Sequence, residues 1–565
     1  MTLPPHWLEP ALLDLRTVSV TGFAVVDEIL QRRGFSSNDE ALAWLEPDLE
    51  ALADATHVPG MSDALDRIER AIRNGERILV FGDYDCDGVT STAILYSAIC
   101  FAAQDHKLVS WLLPERDAGY GLREEQLPRV FEREPSLLVL VDCGSNDVET
   151  IGEVRGAGID VVVLDHHQIS AQLPPDVPLA NPQLEPDGES TILTAAGLAW
   201  LAVRGLGQRG MKVCPDGEGH RRYLDLAAIG TVGDVGTLTG LNRAIVREGV
   251  ARIPQVARQG MKALAREARF DLATLRAEDL PFKVTSLLNG PGRMGKPDVA
   301  LDLLLTRNFD RAQECAREIM RLSALRRKES ARVQADAIAA AEPFAEDRVL
   351  VVTGEDWHSG VLGPVASKLV EHFHKPAVVL GGEGDRLTGS GRSVPGWDIA
   401  AAFRTVGEFV LHSGGHGAAA GLTVAREHLE RFRSAINAYT MDHPVTDVTP
   451  EIRIDAEIDA DSLTFSMMRA LERMQPFGKG NPRPLMLWRG VPLAERRIVG
   501  KEGRVMQLQI DPMGRRIKGV LFRGAEQLDG IPTDRRFDIV IEPAITQWNG
   551  SEYIEARIEA YQLSG

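Results

Sequence analysis

Residues 77–92 read RILVFGDYDCDGVTST. The apolar run Ile78–Phe81 predicts a buried strand, Gly88 a turn, and the residues from Val89 onward a helix. Between them stand Asp83, Asp85 and Asp87. At a period of two, alternate side chains share one side of an extended backbone, so three carboxylates converge at the strand's end unless the chain bends first. Converging carboxylates repel one another and are costly to bury without a cation. An acidic turn with a helix cap would account for a lone DxD, so the weight of the reading falls on the rest of the chain.

Upstream, DALDRIERAIRNGE from Asp63 has the spacing of an amphipathic helix ending at Gly75. Downstream come the apolar stretch Val89 to Ala103, then LVSWLLP, LREEQLPRVFE, LLVLVDCG, DVETIGEVRGAG and IDVVVLDHH. Strands alternating with helical patterns predict a parallel sheet covered by helices, whose chemistry collects at the carboxyl ends of the strands. Asp142 follows LLVLV, and Asp165, His166 and His167 follow VVVL, as Asp83 follows ILVFG. Three strand ends thus present acids or imidazoles to one edge. From Thr194 to Ala268 the pattern is mostly helical, with Asp234 in a glycine-flanked break that also reads as a helix cap. NGPGRMG (289–295) reads as a glycine-rich turn carrying Arg293, and Asp310 to Glu342 as one long helix whose arginines form a solvated face.

A second α/β unit begins with DRVLVVTGEDWHSGVLGPVASKLV and carries the loops GSGRSV (389–394) and SGGHGAAAG (413–421). Past Pro450, short alternating strands (IRIDAEI, PLMLW, RVMQLQID, IKGVLF, FDIVIEP, YIEARIEAYQL) predict a small β-barrel of the oligonucleotide-binding type. The expected organisation is an N-terminal segment (1–60) packing on a catalytic domain (61–308), a connecting helix (309–342), a second α/β domain (343–446) and an OB-like domain (447–565).

A chain of 565 residues is too long for one core. The net charge of −18 argues against broad, non-specific nucleic-acid binding, so any such surface must be concentrated. Five scattered cysteines without CxxC spacing fit a reducing compartment. The amino terminus, MTLPPHWLEP, lacks a basic and an apolar leader region, and no run approaches the roughly 18 consecutive apolar residues of a membrane span. A cytoplasmic protein without membrane contact is expected.

GDYDCDG, VDCG, LDHH and GDVGTL stand in the order of the four motifs of the DHH phosphoesterase superfamily, and GGHGAAAG resembles the signature of its associated domain. DALDRIERAI, PERDAGYGL, NGPGRMG, DWHSGVLG, GSGRSVPG, PFGKGNP and the terminal barrel extend the likeness over nearly the whole chain to the RecJ family within it. Glycine stands at 233 where alanine is usual, GTLTG replaces a more apolar or proline-containing stretch, and NGPGRMG replaces NAAGRMG, changes that touch local backbone and leave the charged side chains in place. Cys86 and Cys143 read as small packing residues. The resemblance implies a 5′ to 3′ single-strand-specific DNA exonuclease that releases mononucleotides and acts on the nucleoid in repair and recombination; a monomer is the default expectation, and a single-stranded-DNA-binding protein and a RecQ-type helicase are candidate partners. The alternatives are a DHH hydrolase of short oligonucleotides or cyclic dinucleotides, and a non-catalytic DNA-binding replication scaffold.

Carboxylates with one or two imidazoles suit manganese, or magnesium, better than a thiolate metal would. Two such ions about 3.5–4 Å apart can hold both partners of an in-line displacement at phosphorus. The resemblance makes Asp85, Asp87, Asp142, His166 and Asp234 metal ligands, with Asp142 bridging. Asp83 would be a ligand or orienter, and His167 would contact the scissile phosphate, assist proton transfer, or simply hold its neighbours. Backbone amides of GSGRS and SGGHG, including Gly414 and Gly415, could hold phosphates together with Arg392 and His416. Arg116, Tyr120, Asn289, Arg293, His358 and Ser390 are further substrate candidates, for which a surface arginine or a packed aromatic is a neutral explanation. In the barrel, Lys479, Arg483, Arg489, Arg496 and Arg497 give basic character, and Phe477, Trp488 or Trp548 could stack bases if exposed.

Overall fold

The computed structural model describes residues 6–10, 17–116, 119–169, 172–256, 258–445, 451–499, 505–510, 517–522, 528, 530–532, 534–548 and 551–564, at 547 and 548 the backbone alone. These fall into two compact units, one formed by Ala53–Gly236 with Ile245–Val448, the other by Met1–Leu52, Thr237–Ala244 and Thr449–Gly565.

In the first unit, helix α1 (Met61–Asn74) buries Leu65, Ile68 and Ile72 and stops at Gly75, whose φ of 66° favours glycine. It leads into β1 (Ile78–Phe81), buried along its whole length. Then follow α2 (Cys86–Ala103), β2 (Val109–Leu112), β3 (Leu137–Val141), α3 (Val148–Gly156), β4 (Asp160–Leu164) and β5 (Leu179–Ala180). The strands pair in the order β2-β1-β3-β4-β5, all parallel, as their unbroken apolar runs require. Because β2 and β3 flank β1 on opposite sides, the loops after β1 and β3 part at a topological switch point. Helix α2 is long and apolar enough to cross a membrane by composition, yet 67% of it is buried inside the protein. It packs on α4 (Ala195–Gln208) and α5 (Leu224–Gly233) as a core helix.

Two local expectations need correction. Helix α2 begins at Cys86 rather than Val89, because the Asp85 side chain caps it by accepting from the N–H groups of Asp87 and Gly88. NGPGRMG is not a turn: α6 (Ser286–Arg293) runs through Pro291, and the chain leaves it at Gly295, φ 73°. The glycines there serve close packing. A Cβ on Gly292 would stand 2.2 Å from the Tyr84 carbonyl oxygen, and one on Gly290 would stand 2.7 Å from Ser323 Oγ.

Helix α7 (Phe309–Ala341) spans 33 residues. Its first part packs on α6, while Val333, Ala337 and Ala341 enter the core under the second sheet with α8 (Ser359–Phe373). That sheet comprises β6 (Leu350–Gly354), β7 (Ala377–Gly381), β8 (Arg386–Arg392), β9 (Val410–His416) and β10 (Ala419–Ala425), in the order β9-β10-β8-β7-β6. The expected loops GSGRSV and SGGHG are largely strand, at β8 and β9, because their glycines let neighbouring backbones approach: a Cβ on Gly389 would meet the Val379 carbonyl oxygen at 2.0 Å.

The second unit holds a closed five-stranded barrel of β12 (Met486–Val499), β13 (Val505–Ile510), β14 (Ile517–Leu521), β15 (Arg536–Trp548) and β16 (Ser551–Leu563), sealed by β12 pairing with β15, with β11 (Ala456–Ile458) added along β12. Of the N-terminal segment expected to pack on the catalytic domain, residues 53–60 fall in the first unit, but the part up to Leu52 shares the barrel's core instead: Val26, Ile29, Leu30, Ala41 and Leu45 lie in one apolar cluster with Met486, Leu493, Phe537 and Ile539. Arg243, 1% exposed, joins these pieces by donating to the carbonyls of Trp44 and Met474, with its guanidinium 3.7 Å from the Trp44 ring centre.

The basic and aromatic platform expected on the barrel is mostly committed elsewhere. Phe477 and Trp488 are 6% and 3% exposed and belong to the core. Arg489 pairs with Glu9, Glu457 and Asp538, Arg483 with Glu542, and Arg496 donates to the carbonyls of Leu493, Leu528 and Ile531. Lys479 and Arg497 remain exposed. The Trp548 side chain lies outside the described residues.

Candidate metal centre and facing arginines

The register of the first sheet places Phe81 beside Leu140 and Val141 beside Leu164, so the residues that follow β1, β3 and β4 share one edge. Asp142 turns there with φ 65°, a left-handed conformation that non-glycine residues seldom hold. Asp87 lies in the first turn of α2, 1% exposed, and its carboxylate accepts from the N–H groups of Ala195 (2.7 Å) and Ala196 (2.9 Å) at the start of α4. The positive end of that helix suits a negative group. Asp234 caps the end of α5, and the following Val235 has φ 55°.

Two sets of donors result. Asp83, Asp85 and Asp142 each offer an oxygen within 4.8 Å of one another; Asp87 and Asp234 do the same with a ring nitrogen of His166, and Asp142, His166 and His167 form a third such group that overlaps both sets. The sets meet where His166 Nε2 lies 3.2 Å from Asp142 Oδ1, 3.8 Å from Asp87 Oδ2 and 3.9 Å from Asp234 Oδ2. Burial, and then the neighbouring aspartates, push Asp83, Asp87 and Asp142 well above the usual carboxylate range. Burial, helped by His167 and His416, drives His166 down to about 3, leaving a neutral imidazole. His166 Nε2 and Asp83 Oδ1 are buried without a hydrogen-bond partner. Neutral imidazole and crowded carboxylates with idle lone pairs are the donors a divalent ion needs, so the residues fit such ions.

His167 has a different setting. Its Nδ1 lies 2.8 Å from Asp165 Oδ1 and 2.7 Å from Tyr120 Oη. Burial opposes its protonation, but the hydrogen bond and charge of Asp165 outweigh that and raise it to about 9. Asp165 also accepts from the backbone N–H groups of His166, His167 and Ser145. It is the organiser of the strand end, a role that its position as one more acid after VVVL did not disclose. Tyr120, expected at the substrate, donates to the Asp142 carbonyl at 2.7 Å and so braces the centre. Asn289, another substrate candidate, accepts from Cys86 N–H at 2.7 Å and so holds the start of α2. Cys86 and Cys143 are buried free thiols, and a Cβ at Gly233 would stand 2.9 Å from Cys86 Sγ.

Opposite charge comes from Arg392 in the second sheet and from Arg116 and Arg293 beside the first. Across β8, β10 and β9, Arg392, Ala419 and His416 are register partners. Arg392 donates to Ser390 Oγ (2.6 Å) and the Gly391 carbonyl, beside Gly363 of α8, where a Cβ would come within 2.8 Å of its Nη2. Gly415, φ 135°, has no room for a side chain, since a Cβ there would meet the Ala419 carbonyl at 2.5 Å; Gly414 faces open space. His358 accepts from Gly360 N–H at the start of α8, and Arg293 donates to the Gly360 carbonyl at 3.4 Å. The Arg116 guanidinium stacks 5.2 Å from the Tyr84 ring centre. Burial, then Arg116 and Arg326, push Arg293 down to about 10, and burial, then Arg116, lower Arg392.

Comparison with known proteins matches residues 77–231 to the N-terminal domain of the DHH family, 346–442 to the DHHA1 domain and 454–560 to the RecJ OB domain. The chain is similar to the single-stranded-DNA-specific exonuclease RecJ of Bacillus subtilis, 32% identical over 549 residues that cover 96% of this chain and 68% of the relative. It is likewise similar to that of Escherichia coli, 30% identical over 532 residues, 90% of this chain and 89% of the relative. The solved structure of RecJ from Thermus thermophilus in complex with Mn2+ superposes with a TM-score of 0.81 at 28% identity, over 95% of this chain and 76% of that one. Its Mg2+ complex gives 0.76 at 26% identity, over 99% and 78%. With that level of identity along nearly its whole length, the chain belongs to the RecJ family.

Proposed function

We propose that this protein is a metal-dependent exonuclease that degrades single-stranded DNA from the 5′ end and releases 5′-mononucleotides. The observation that carries the reading is the pair of donor sets meeting at His166 and Asp142, with guanidiniums gathered across from them. Asp83, Asp85 and Asp142 would hold one divalent ion and Asp87, His166 and Asp234 a second, with Asp142 shared. Manganese or magnesium, when bound there, supplies Lewis-acid stabilisation for in-line displacement at phosphorus. The chain's own residues do the rest. Asp165 orients both histidines, and Tyr120 fixes the backbone of Asp142. His167, carrying a proton, faces the phosphoryl oxygens. Arg392, Ser390 and the backbone of Gly414–His416 receive the terminal phosphate, with Arg116 and Arg293 behind it.

Action in the cytoplasm on nucleoid DNA, as a monomer alongside a single-stranded-DNA-binding protein and a RecQ-type helicase, follows the same family reading. End-labelled single-stranded and blunt duplex DNA, incubated with the protein in manganese, magnesium or EDTA, test the activity. The expected result is mononucleotides released from the 5′ end of single strands, with duplex spared and EDTA blocking the reaction. Hydrolysis of dinucleotides alone, or DNA binding without cleavage, would overturn it.

A further inference from the structure

Helix α7 carries many charges, and half of its arginines pair in the way a solvated helix face should. Arg311 bridges to Asp302 and Glu314, Arg321 to Glu318, and Arg332 to Glu329, Asp336 and Asp356. Arg317, Arg326 and Arg327 have no carboxylate partner among the described residues, and of these three Arg326 alone is half-buried, the other two being exposed.

The place of Arg326 on the helix explains where it points. Ser323, three residues earlier and 0% exposed, sits under Gly290 of α6 so closely that a Cβ on that glycine would be 2.7 Å from Ser323 Oγ. Residues three apart share a helix face, so Arg326 is turned toward the end of α6, where Arg293 stands. Arg326 is among the groups that lower Arg293, after burial and Arg116. Arg116 in turn lowers Arg392. Arg392, Arg116, Arg293 and Arg326 are thus linked neighbour to neighbour, none within ion-pair distance of a carboxylate among the described residues, although Asp85 also acts on Arg293 and Arg116 on Asp83. Holding like charges together and half-buried is unfavourable unless an anion joins them. Four guanidiniums exceed what one phosphate needs, since each can bind a phosphate in a bidentate fork.

We infer that Arg326 is a substrate-binding residue, the far end of an arginine row in which Arg392 and Arg116 take the first phosphate of the strand and Arg293 and Arg326 take the next. This rests on the nucleic-acid reading of the site given above. It gives the connecting helix a part in substrate binding, because the residue that grips the strand lies on the element that joins the two lobes.

The test compares Arg326→Gln, Arg326→Lys and the exposed neighbour Arg327→Gln with the unaltered protein, using a 5′-phosphorylated single strand in manganese. Arg326→Gln should raise KM about tenfold or more with a smaller change in kcat, and should flatten the dependence of log Kd on log salt by about 0.7. Arg326→Lys should restore the salt slope while leaving KM raised, and Arg327→Gln should behave as the unaltered protein. Unchanged KM and slope in Arg326→Gln, or an equal effect in Arg327→Gln, would overturn the inference. If Arg326→Gln loses its cooperative melting transition, Arg326→Lys decides: a KM equal to that of the unaltered protein overturns it. Failure of the unaltered protein to bind or cleave single strands would instead overturn the functional reading itself.

Discussion

Two regions of the same unit are each charged beyond what their surroundings balance, with opposite signs. At the strand ends, five aspartates and one neutral histidine crowd together, the carboxyls of Asp83, Asp87 and Asp142 pushed upward by burial and by neighbouring aspartates. Toward the second lobe, Arg392, Arg116, Arg293 and Arg326 stand without carboxylate partners among the described residues, Arg293 and Arg392 being pushed downward. The two sets could have neutralised each other in salt bridges, and they do not. An acid cluster that leaves nearby arginines unpaired awaits cations, and an arginine row that leaves nearby acids unpaired awaits anions. Metal and phosphate backbone complete the balance together, which is the arrangement phosphodiester hydrolysis requires.

The largest effect is expected at Asp142, which belongs to the set with Asp83 and Asp85 and lies 3.2 Å from His166 of the other set. Asp142→Ala should lower kcat on single-stranded DNA by about 10³-fold or more while single-strand binding persists; steady-state digestion and a binding assay on the same preparation measure both. The next largest effect is expected at Asp165, which touches no proposed ion but organises both histidines. Asp165→Asn should cost about 10- to 100-fold in activity or metal affinity, read as a shifted manganese dependence of the rate. On the arginine side, Arg392→Ala should raise KM by about tenfold for 5′-phosphorylated ends and less for unphosphorylated ones. Equal losses on the two substrates would remove Arg392 from the terminal phosphate. The smallest effect concerns packing under the acid cluster. Gly233→Ala should destabilise the protein by about 1–3 kcal/mol by crowding Cys86, and Cys86→Ala should recover part of that, as urea unfolding of the single and double variants would reveal.

Much of the acid cluster was legible in the sequence, because strand ends of a parallel sheet must share an edge and the aspartates and histidines follow unbroken apolar runs. The register of β1, β3 and β4 bears out that geometry. What periodicity could not disclose is the choice of partner. Tyr120 and Asn289 look like substrate residues until their bonds to the Asp142 carbonyl and the Cys86 N–H are seen, and these lie 22 and 203 residues away in sequence. Arg326 was hidden for a similar reason: a charged run on a helix reads as solvated, and only the packing of Ser323 on Gly290 tells which charge faces inward. NGPGRMG read as a turn because glycine signals both chain reversal and close approach, and here Tyr84 and Ser323 demand the second. In the barrel, Phe477 and Trp488 were as compatible with core as with a stacking platform, and burial assigns them to the core.

The most direct test of the central claim is the number of divalent ions the acid cluster takes. Calorimetric titration of the metal-free protein with manganese should give two ions per chain, and Asp142→Ala, the position proposed to be shared, should lose that two-ion isotherm. A single ion in the unaltered protein, or two ions undiminished in Asp142→Ala, would contradict the account.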